Sequence, residues 1–172
     1  MNLRAPLPAV TIFVMPIIMA IAVTISLVLP ARDQTIAKEK SAVNVMLNSL
    51  HEAASTGDWD VYFDLYTDSS IFLGTDATER WTKSDFQGYA ARSNGWTYDM
   101  SERHIFLSDN LQTAWFDELL ENENLGLTRG TGVLVKEGGK WKFSQYNLTI
   151  PVPNQLAGEF VAAIRALPEP EK

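Results

Sequence analysis

The second half of the chain constrains the fold most, because strand patterns cover nearly all of it and only short polar turns interrupt them. The predicted strands are 96–98, 104–107, 112–120, 129–136 and 140–150. The last two are joined by Glu137-Gly138-Gly139, a composition typical of a tight hairpin. Pro151 and Pro153 end the pattern, since proline cannot donate to a strand ladder. Consecutive strands with such short connections predict an antiparallel meander.

Helical patterns lie mainly before these strands. Apolar residues spaced three and four apart predict helices that begin near residues 41, 59 and 82, and a short strand at 71–73 lies between the second and third. Asp58, Thr82 and Asn154 are the predicted N-caps, the last for a closing helix. Helices and strands do not alternate as βαβ units. The predicted class is therefore α+β.

The N-terminal segment carries no charged side chain from Ala5 through Ala31, and its apolar run is about the 20 residues that cross a bilayer. A cleavable signal has an apolar region of about 7–15 residues, so an uncleaved transmembrane helix is favoured, with the domain outside the cytoplasm. The alternative is cleavage, which would give a secreted or periplasmic protein. We assign residues 1–31 to this anchor or signal and residues 32–40 to a linker.

Composition excludes several classes of function. The chain has 172 residues, enough for one domain, and its net charge of −7 disfavours nucleic acid as a partner. It has no cysteine, and its two histidines, His51 and His104, have no partner at metal-ligand spacing, so no metal site is predicted. There is no glycine-rich phosphate loop or dinucleotide fingerprint, and no cofactor is predicted.

Alternation in the last strand places Trp141, Phe143, Gln145 and Asn147 on one face. This face is apolar at one end and polar at the other, as expected of a curved sheet around a pocket. The alternative is that Gln145 and Asn147 lie at the rim and bond to water or backbone.

The most distinctive stretches of the chain are DWDVYFDLYTDSSIFLGTDATERWTKSDF, TAWFDELL and RGTGVLVKEGGKWKFSQYNLTIP. Together they resemble the SnoaL-like branch of the nuclear-transport-factor-2-like superfamily, over residues 41–153, which leaves 154–172 as a C-terminal helix and tail. The resemblance implies a cone-shaped barrel, in which a curved antiparallel sheet folds around a pocket that the N-terminal helices cap. The family includes ketosteroid isomerases, polyketide cyclases, dehydratases and many pocketed proteins with no established reaction. Histidines often occupy the face that carries Gln145 and Asn147 here, and this chain lacks them.

The first functional hypothesis is a membrane-tethered pocket domain that binds a small apolar or amphipathic molecule. The candidate ligand-binding residues are Trp59, Phe63, Trp81, Trp115, Gln145 and Asn147. Large aromatic side chains at helical and strand spacing are alternatively core residues.

The second hypothesis is an isomerase, cyclase or dehydratase that acts on a hydrophobic carbonyl compound. Asp117 would be the base, and Arg129, Gln145 or Asn147 would donate to the developing negative charge. Asp117 and Arg129 could alternatively meet across the hairpin as an ordinary ion pair. The two roles conflict, because burial must raise the pKa of Asp117 whereas a neighbouring arginine lowers it. Asp76 and Glu79 are alternative acids at a pocket mouth, although Asp76 is also a typical turn residue.

The expected oligomer is a homodimer through the open face of the sheet. Alternation places Phe116, Leu134, Tyr146 and Leu148 on that face, which is more apolar surface than a sheet usually leaves in water. The alternative is that the C-terminal helix folds back and covers the face within one chain.

Overall fold

The computed structural model describes residues 15–168, with side-chain environments from Ala31 onward. The chain divides into two compact units, Met1–Lys38 and Glu39–Lys172, and helix α1, Met15–Thr56, runs through both. Part of the predicted anchor or signal, residues 1–14, lies outside the described residues. Among the residues that the structure does describe, no helix combines the length and the apolar character that crossing a membrane requires.

The second unit is a mixed α+β domain, as predicted. Its strands are β1 Tyr66–Leu73, β2 Arg80–Thr82, β3 Asp99–Leu107, β4 Thr113–Asn122, β5 Gly126–Glu137 and β6 Lys140–Thr149. The helices after α1 are α2 Trp59–Asp64, α3 Lys83–Ala90 and α4 Ala157–Arg165, the last preceded by a 3-10 turn at Asn154–Leu156.

Local signals placed the starts of α2 and α3 and the hairpin between β5 and β6 correctly. The predicted strand 96–98 is wrong, because these residues precede β3 without strand pairing, and β2 was not predicted. Asp58 caps α2 by accepting a hydrogen bond from the Val61 amide at 3.1 Å. Thr82 forms a capping box with Asp85 at the start of α3. Gly138 and Gly139 both have positive φ, 58° and 79°, which the tight hairpin between β5 and β6 requires. The predicted Asn154 cap is wrong, because no side-chain hydrogen bond caps either the 3-10 turn or α4.

The six strands form one sheet in the order β2-β1-β6-β5-β4-β3. β1 pairs in parallel with β6, while every other neighbouring pair in this order is antiparallel. The sheet is therefore mixed, and the prediction of a wholly antiparallel sheet is wrong at this pairing. A short turn in the sequence indicates pairing only between the two strands that it joins. A parallel pair such as β1 and β6 is joined by a long connection, which leaves no such local signal.

A bulge in β6 decides which side chains face the core. Val133 pairs with Gln145 and Leu134 pairs with Phe143, so Ser144 is an extra residue that reverses the alternation. Trp141 and Phe143 consequently share the buried face with Tyr146 and Leu148, and not with Gln145 and Asn147. The predicted common face of Trp141, Phe143, Gln145 and Asn147 is wrong for this reason.

The surface that was predicted to form the dimer is part of the core of the second unit. Phe116, Leu134, Tyr146 and Leu148 are all buried in the core, at 7% exposure or less. Helix α4 does not cover the sheet either, since its apolar residues and those flanking it are exposed, namely Leu156, Phe160, Val161, Ile164 and Leu167.

Candidate functional site

A cavity of about 300 Å³ opens between the helices and the buried face of the sheet in the second unit. This is near the lower end of the usual range for small-molecule sites. Eight of its eighteen lining residues are aromatic. The aromatic lining residues are Tyr62, Phe72, Trp81, Phe86, Tyr89, Trp96, Tyr98 and Tyr146.

Several of these rings lie nearly parallel to one another. The Phe72 ring centroid is 3.9 Å from that of Phe86 and 5.9 Å from those of Trp81 and Tyr146, with interplanar angles of 25°, 16° and 2°. Phe86 and Trp96 are also stacked, at 6.0 Å and 14°. Parallel rings present flat apolar faces, which favours a planar molecule between or against them.

Polar residues gather in the loop between β1 and β2, where Gly74, Thr75 and Glu79 line the cavity. The Gly74 amide donates to the Glu79 carbonyl at 2.9 Å and so closes the loop. Asp76 accepts hydrogen bonds from the Thr78 amide at 2.8 Å and the Thr78 hydroxyl at 2.6 Å, which lower the pKa of Asp76. Asp76 therefore shapes the loop and is not among the lining residues.

His51 lines the cavity from α1, where it follows Leu47 by one helical turn. Its Nε2 atom lies 2.9 Å from Oε1 of Glu118 on β4, and its side chain is 13% exposed. This contact joins the wall of the cavity to a carboxylate in the core.

Glu118 is buried, at 1% exposure, and is surrounded by donors. Arg103 Nε donates to Oε2 at 2.8 Å, Arg103 Nη2 makes an ion contact with Oε2 at 2.7 Å, and the Tyr146 hydroxyl donates to Oε1 at 3.3 Å. Arg103 is held in turn by Nη1, which donates to the side-chain oxygens of Asn44 and Asn48 at 2.9 and 2.7 Å. The cluster ties α1 to strands β3, β4 and β6.

The pKa of Glu118 lies below its usual range. Burial alone would raise it, but the hydrogen bond and charge of His51 and the charge and hydrogen bond of Arg103 outweigh burial. Glu118 is therefore an ionised acceptor at neutral pH. Because a carboxylate only accepts hydrogen bonds, His51 directs a proton on Nε2 at Glu118.

Three tyrosines of the wall, Tyr62, Tyr98 and Tyr146, stay protonated at neutral pH because their pKa values are raised. Burial raises the pKa of Tyr98 to about 12 and raises the pKa values of Tyr62 and Tyr146 further. Within the part of the chain that the structure describes, no three histidine, aspartate or glutamate side chains group as a metal site would need.

We predict a pH effect from Glu118. Because its folded pKa is depressed, its stabilising contribution is present above the unfolded carboxyl pKa of about 4.3 and is lost as pH falls toward the folded value. The free energy of unfolding, measured in urea, should fall more steeply below about pH 5 in the wild type than in Glu118→Gln. Equal slopes in the two proteins would contradict the ionised state assigned to Glu118.

Of the eight residues predicted for the site, Trp81 alone is among the cavity-lining residues. Trp59 lies beside the cavity, where its Nε1 donates to the Ser93 carbonyl at 3.2 Å and its ring packs on Trp96 at 4.5 Å. Phe63 is a core residue, at 3% exposure.

The other five predicted residues lie on the outer face of the sheet. They are Trp115, Asp117, Arg129, Gln145 and Asn147. Asp117 is opposite Thr131 and contacts His104 Nδ1 at 3.1 Å, whereas Arg129 is opposite Leu119, so the register does not bring Asp117 and Arg129 together.

The sequence analysis missed His51, Glu118, Arg103 and Tyr146 as one cluster. One signal was available for Glu118, which alternates with Phe116 and Leu120 and thus puts a charge on the apolar face of β4. His51 similarly continues the buried stripe of α1 that contains Leu47.

Comparisons with known proteins agree with this fold. A family model described as "SnoaL-like domain" matches residues 43–153. No curated protein matches the chain. Similar solved structures include an NTF2-like protein of unknown function from Pseudomonas putida KT2440, 13% identical with a TM-score of 0.58, covering 70% of this chain and 91% of that one.

Two further structures are comparably similar. A proposed scytalone dehydratase from Novosphingobium aromaticivorans is 14% identical with a TM-score of 0.59, covering 70% of this chain and 89% of that one. An NTF2-like protein from Cytophaga hutchinsonii is 18% identical with a TM-score of 0.57, covering 65% and 98%. At these identities the likeness concerns the fold alone.

Proposed function

Because the chain belongs to the SnoaL-like domain family of the NTF2-like superfamily, we propose that it binds a small planar, amphipathic molecule in its aromatic cavity. The observation that carries the proposal is the stack of near-parallel rings around Phe72 and Phe86, beside the polar ring of His51. A planar ligand would lay its faces on the aromatic wall and direct a polar group toward His51.

The test compares the same substitution at two tryptophans, one inside the cavity and one outside it. Trp81 lines the cavity, whereas Trp115 lies on the outer face and is 45% exposed. We expect a calorimetric titration with 2-naphthol to show binding that Trp81→Ala weakens about tenfold, the loss of one stacked ring. Trp115→Ala should leave the affinity unchanged. Equal effects of the two substitutions, or no binding to the wild type, would contradict the proposal.

Proton transfer on a hydrophobic carbonyl compound, as in an isomerase, cyclase or dehydratase, is the second candidate. The observation that favours it is the 2.9 Å contact between His51 and Glu118, which fixes the orientation of the imidazole at the cavity wall. His51 would take a proton from the carbon next to the carbonyl and return it to another position of the same molecule, so that no other reactant is consumed.

Exchange of the α-protons of 2-tetralone in D₂O, followed by NMR, tests this candidate. His51→Gln should reduce the catalysed exchange by about 10²-fold or more, whereas Asp117→Asn should not change it. The opposite result would indicate that Asp117 is the base. An absence of catalysed exchange in the wild type would reject this second candidate function.

We further propose that the uncharged segment from Ala5 to Ala31 tethers the domain to a membrane, on the outside of the cytoplasm. Support comes from the sequence. A carbonate wash should leave the protein with the membranes. A mature N-terminus at Val23 or Arg32 would instead show that the segment is cleaved, and the protein would then be secreted or periplasmic.

The homodimer remains a proposal, with the outer face of the sheet as its interface. Trp115 and Phe106 are opposite each other in the register, stack at 5.8 Å and 11°, and are 45% and 43% exposed. Burial of this pair against a second copy would remove apolar area from water. Sedimentation equilibrium should show a dimer that Trp115→Lys converts to monomer, and a wild-type monomer at all concentrations would reject the proposal.

A further inference from the structure

A single carboxylate, that of Glu79, lies on the wall of the cavity. The lining residues all belong to the described part of the chain, and among them Glu79 is the one acidic residue, while none is a lysine or an arginine. Its Oε2 atom accepts a hydrogen bond from the Asp76 amide at 3.2 Å. Its Oε1 atom has no hydrogen-bond or ion-pair partner among the described residues. One oxygen therefore holds the carboxylate in place, and the other is open to a ligand.

Gly74 provides the room in which the Glu79 side chain lies. The two residues face each other where the loop closes, because the Gly74 amide donates to the Glu79 carbonyl at 2.9 Å. A Cβ atom at position 74 would overlap Glu79 Oε2 and would lie only 2.8 Å from the Glu79 Cβ. Any side chain at position 74 would therefore push the carboxylate out of its place on the cavity wall.

An indole ring lies on the same side of the chain as this carboxylate. Glu79 directly precedes β2 and Trp81 is two residues further on, so strand alternation places both on the cavity side and Arg80 on the other. The Trp81 ring packs against the Tyr89 ring at 4.7 Å. Arg92 already lies 5.7 Å from the Tyr89 ring centroid, which leaves Trp81 as the ring for a ligand cation. The face of an indole attracts a cation more strongly than that of any other side-chain ring.

The cavity is apolar at its buried end and charged at its exposed end. Its lining residues Tyr62, Phe86 and Tyr146 are 4% exposed or less, whereas Tyr89 is 44% exposed and Glu79 is partly exposed. A flat apolar body would lie on the buried rings. A positive group at the exposed end would exchange water for a carboxylate and an indole face.

Resting on the proposed function, we infer that the ligand is an organic cation, a planar aromatic molecule whose ammonium group lies between the Glu79 carboxylate and the face of Trp81. Gly74 is a positioning residue, because it leaves the space that the Glu79 side chain occupies.

Two naphthalene probes of nearly equal shape test the wild-type protein by calorimetric titration at neutral pH. 2-Naphthylmethylamine is a cation, and 2-naphthylmethanol is its neutral counterpart. We expect the amine to bind about tenfold more tightly than the alcohol, as a charge-assisted contact with one carboxylate and one ring provides. Equal affinities, or tighter binding of the alcohol, overturn the inference while leaving the proposed function in place. Failure of both probes to bind overturns both.

Glu79→Gln tests the role of the carboxylate. It should bring the ratio of the two dissociation constants close to one, chiefly by weakening the binding of the amine. Glu137→Gln is the matched control, since it removes the same charge from an exposed residue at the end of β5, outside the cavity lining. It should keep the tenfold ratio. A preference that survives Glu79→Gln, or that Glu137→Gln abolishes equally, overturns the inference.

Gly74→Ala keeps the charge of Glu79 but displaces its carboxylate, so it should also reduce the preference for the amine. Gly88→Ala is the control for the substitution itself, because Gly88 lies on α3 with open space around the position of a Cβ atom. It should leave the ratio unchanged. An unchanged ratio in Gly74→Ala overturns the positioning role of Gly74. The wild-type ratio decides whether the cavity prefers a cation even if Gly74→Ala or Glu79→Gln does not fold.

Discussion

Arg103→Met is expected to lower the free energy of unfolding by about 3–5 kcal/mol, because it leaves the buried carboxylate of Glu118 without the guanidinium that contacts its Oε2 atom. The Arg103 side chain is 3% exposed and that of Glu118 is 0% exposed, so water cannot replace the lost contacts. Methionine keeps the apolar stem of the side chain, and the loss therefore reports on charge more than on volume. Urea denaturation of the two proteins at pH 7 measures the difference.

Two comparisons separate this explanation from a general loss of packing. Arg129→Met removes an arginine that is exposed on the outer face and should change stability by less than about 0.5 kcal/mol. Arg103→Met combined with Glu118→Gln should be less destabilising than Arg103→Met alone, since no unpaired charge remains. If the double variant is as unstable as the sum of its single variants, the unpaired charge is not the cause.

The features that sequence predicted correctly are local. Asp58 and Thr82 cap helices through contacts within three residues, and Gly138-Gly139 forms its turn from its own backbone angles. Each of these features depends on a few consecutive residues, whose conformational preferences can be recognised in the sequence. The α+β class follows from the order of such local elements.

The site could not be predicted in the same way, because distant residues build it. His51 and Glu118 are separated by 67 positions in the chain, and Arg103 reaches Asn48 across 55. One extra residue, Ser144, reverses the alternation of β6 and moves Gln145 to the outer face. The assumption that side chains alternate strictly along the strand therefore assigned the wrong face to the second half of β6.

Phe86→Ala is expected to cost about 3–5 kcal/mol of unfolding free energy and to change ligand binding as well. Phe86 is 2% exposed, and its ring contacts Phe72 at 3.9 Å and Trp96 at 6.0 Å in near-parallel stacks. It also lines the cavity, so its removal joins a core void to the ligand space. Tyr89→Ala is the control, since Tyr89 lies on the same helix and lines the same cavity but is 44% exposed.

We expect Tyr89→Ala to cost about 1 kcal/mol, because much of its ring already contacts water. In Phe86→Ala the enlarged cavity should favour larger planar ligands, so that the affinity for 1-pyrenol rises relative to that for 2-naphthol. Calorimetric titration of both alcohols against both variants measures this shift. If Phe86→Ala is as stable as Tyr89→Ala, Phe86 does not hold the aromatic wall together. If the ratio of the two affinities is unchanged in Phe86→Ala, the space left by the ring is closed to ligand.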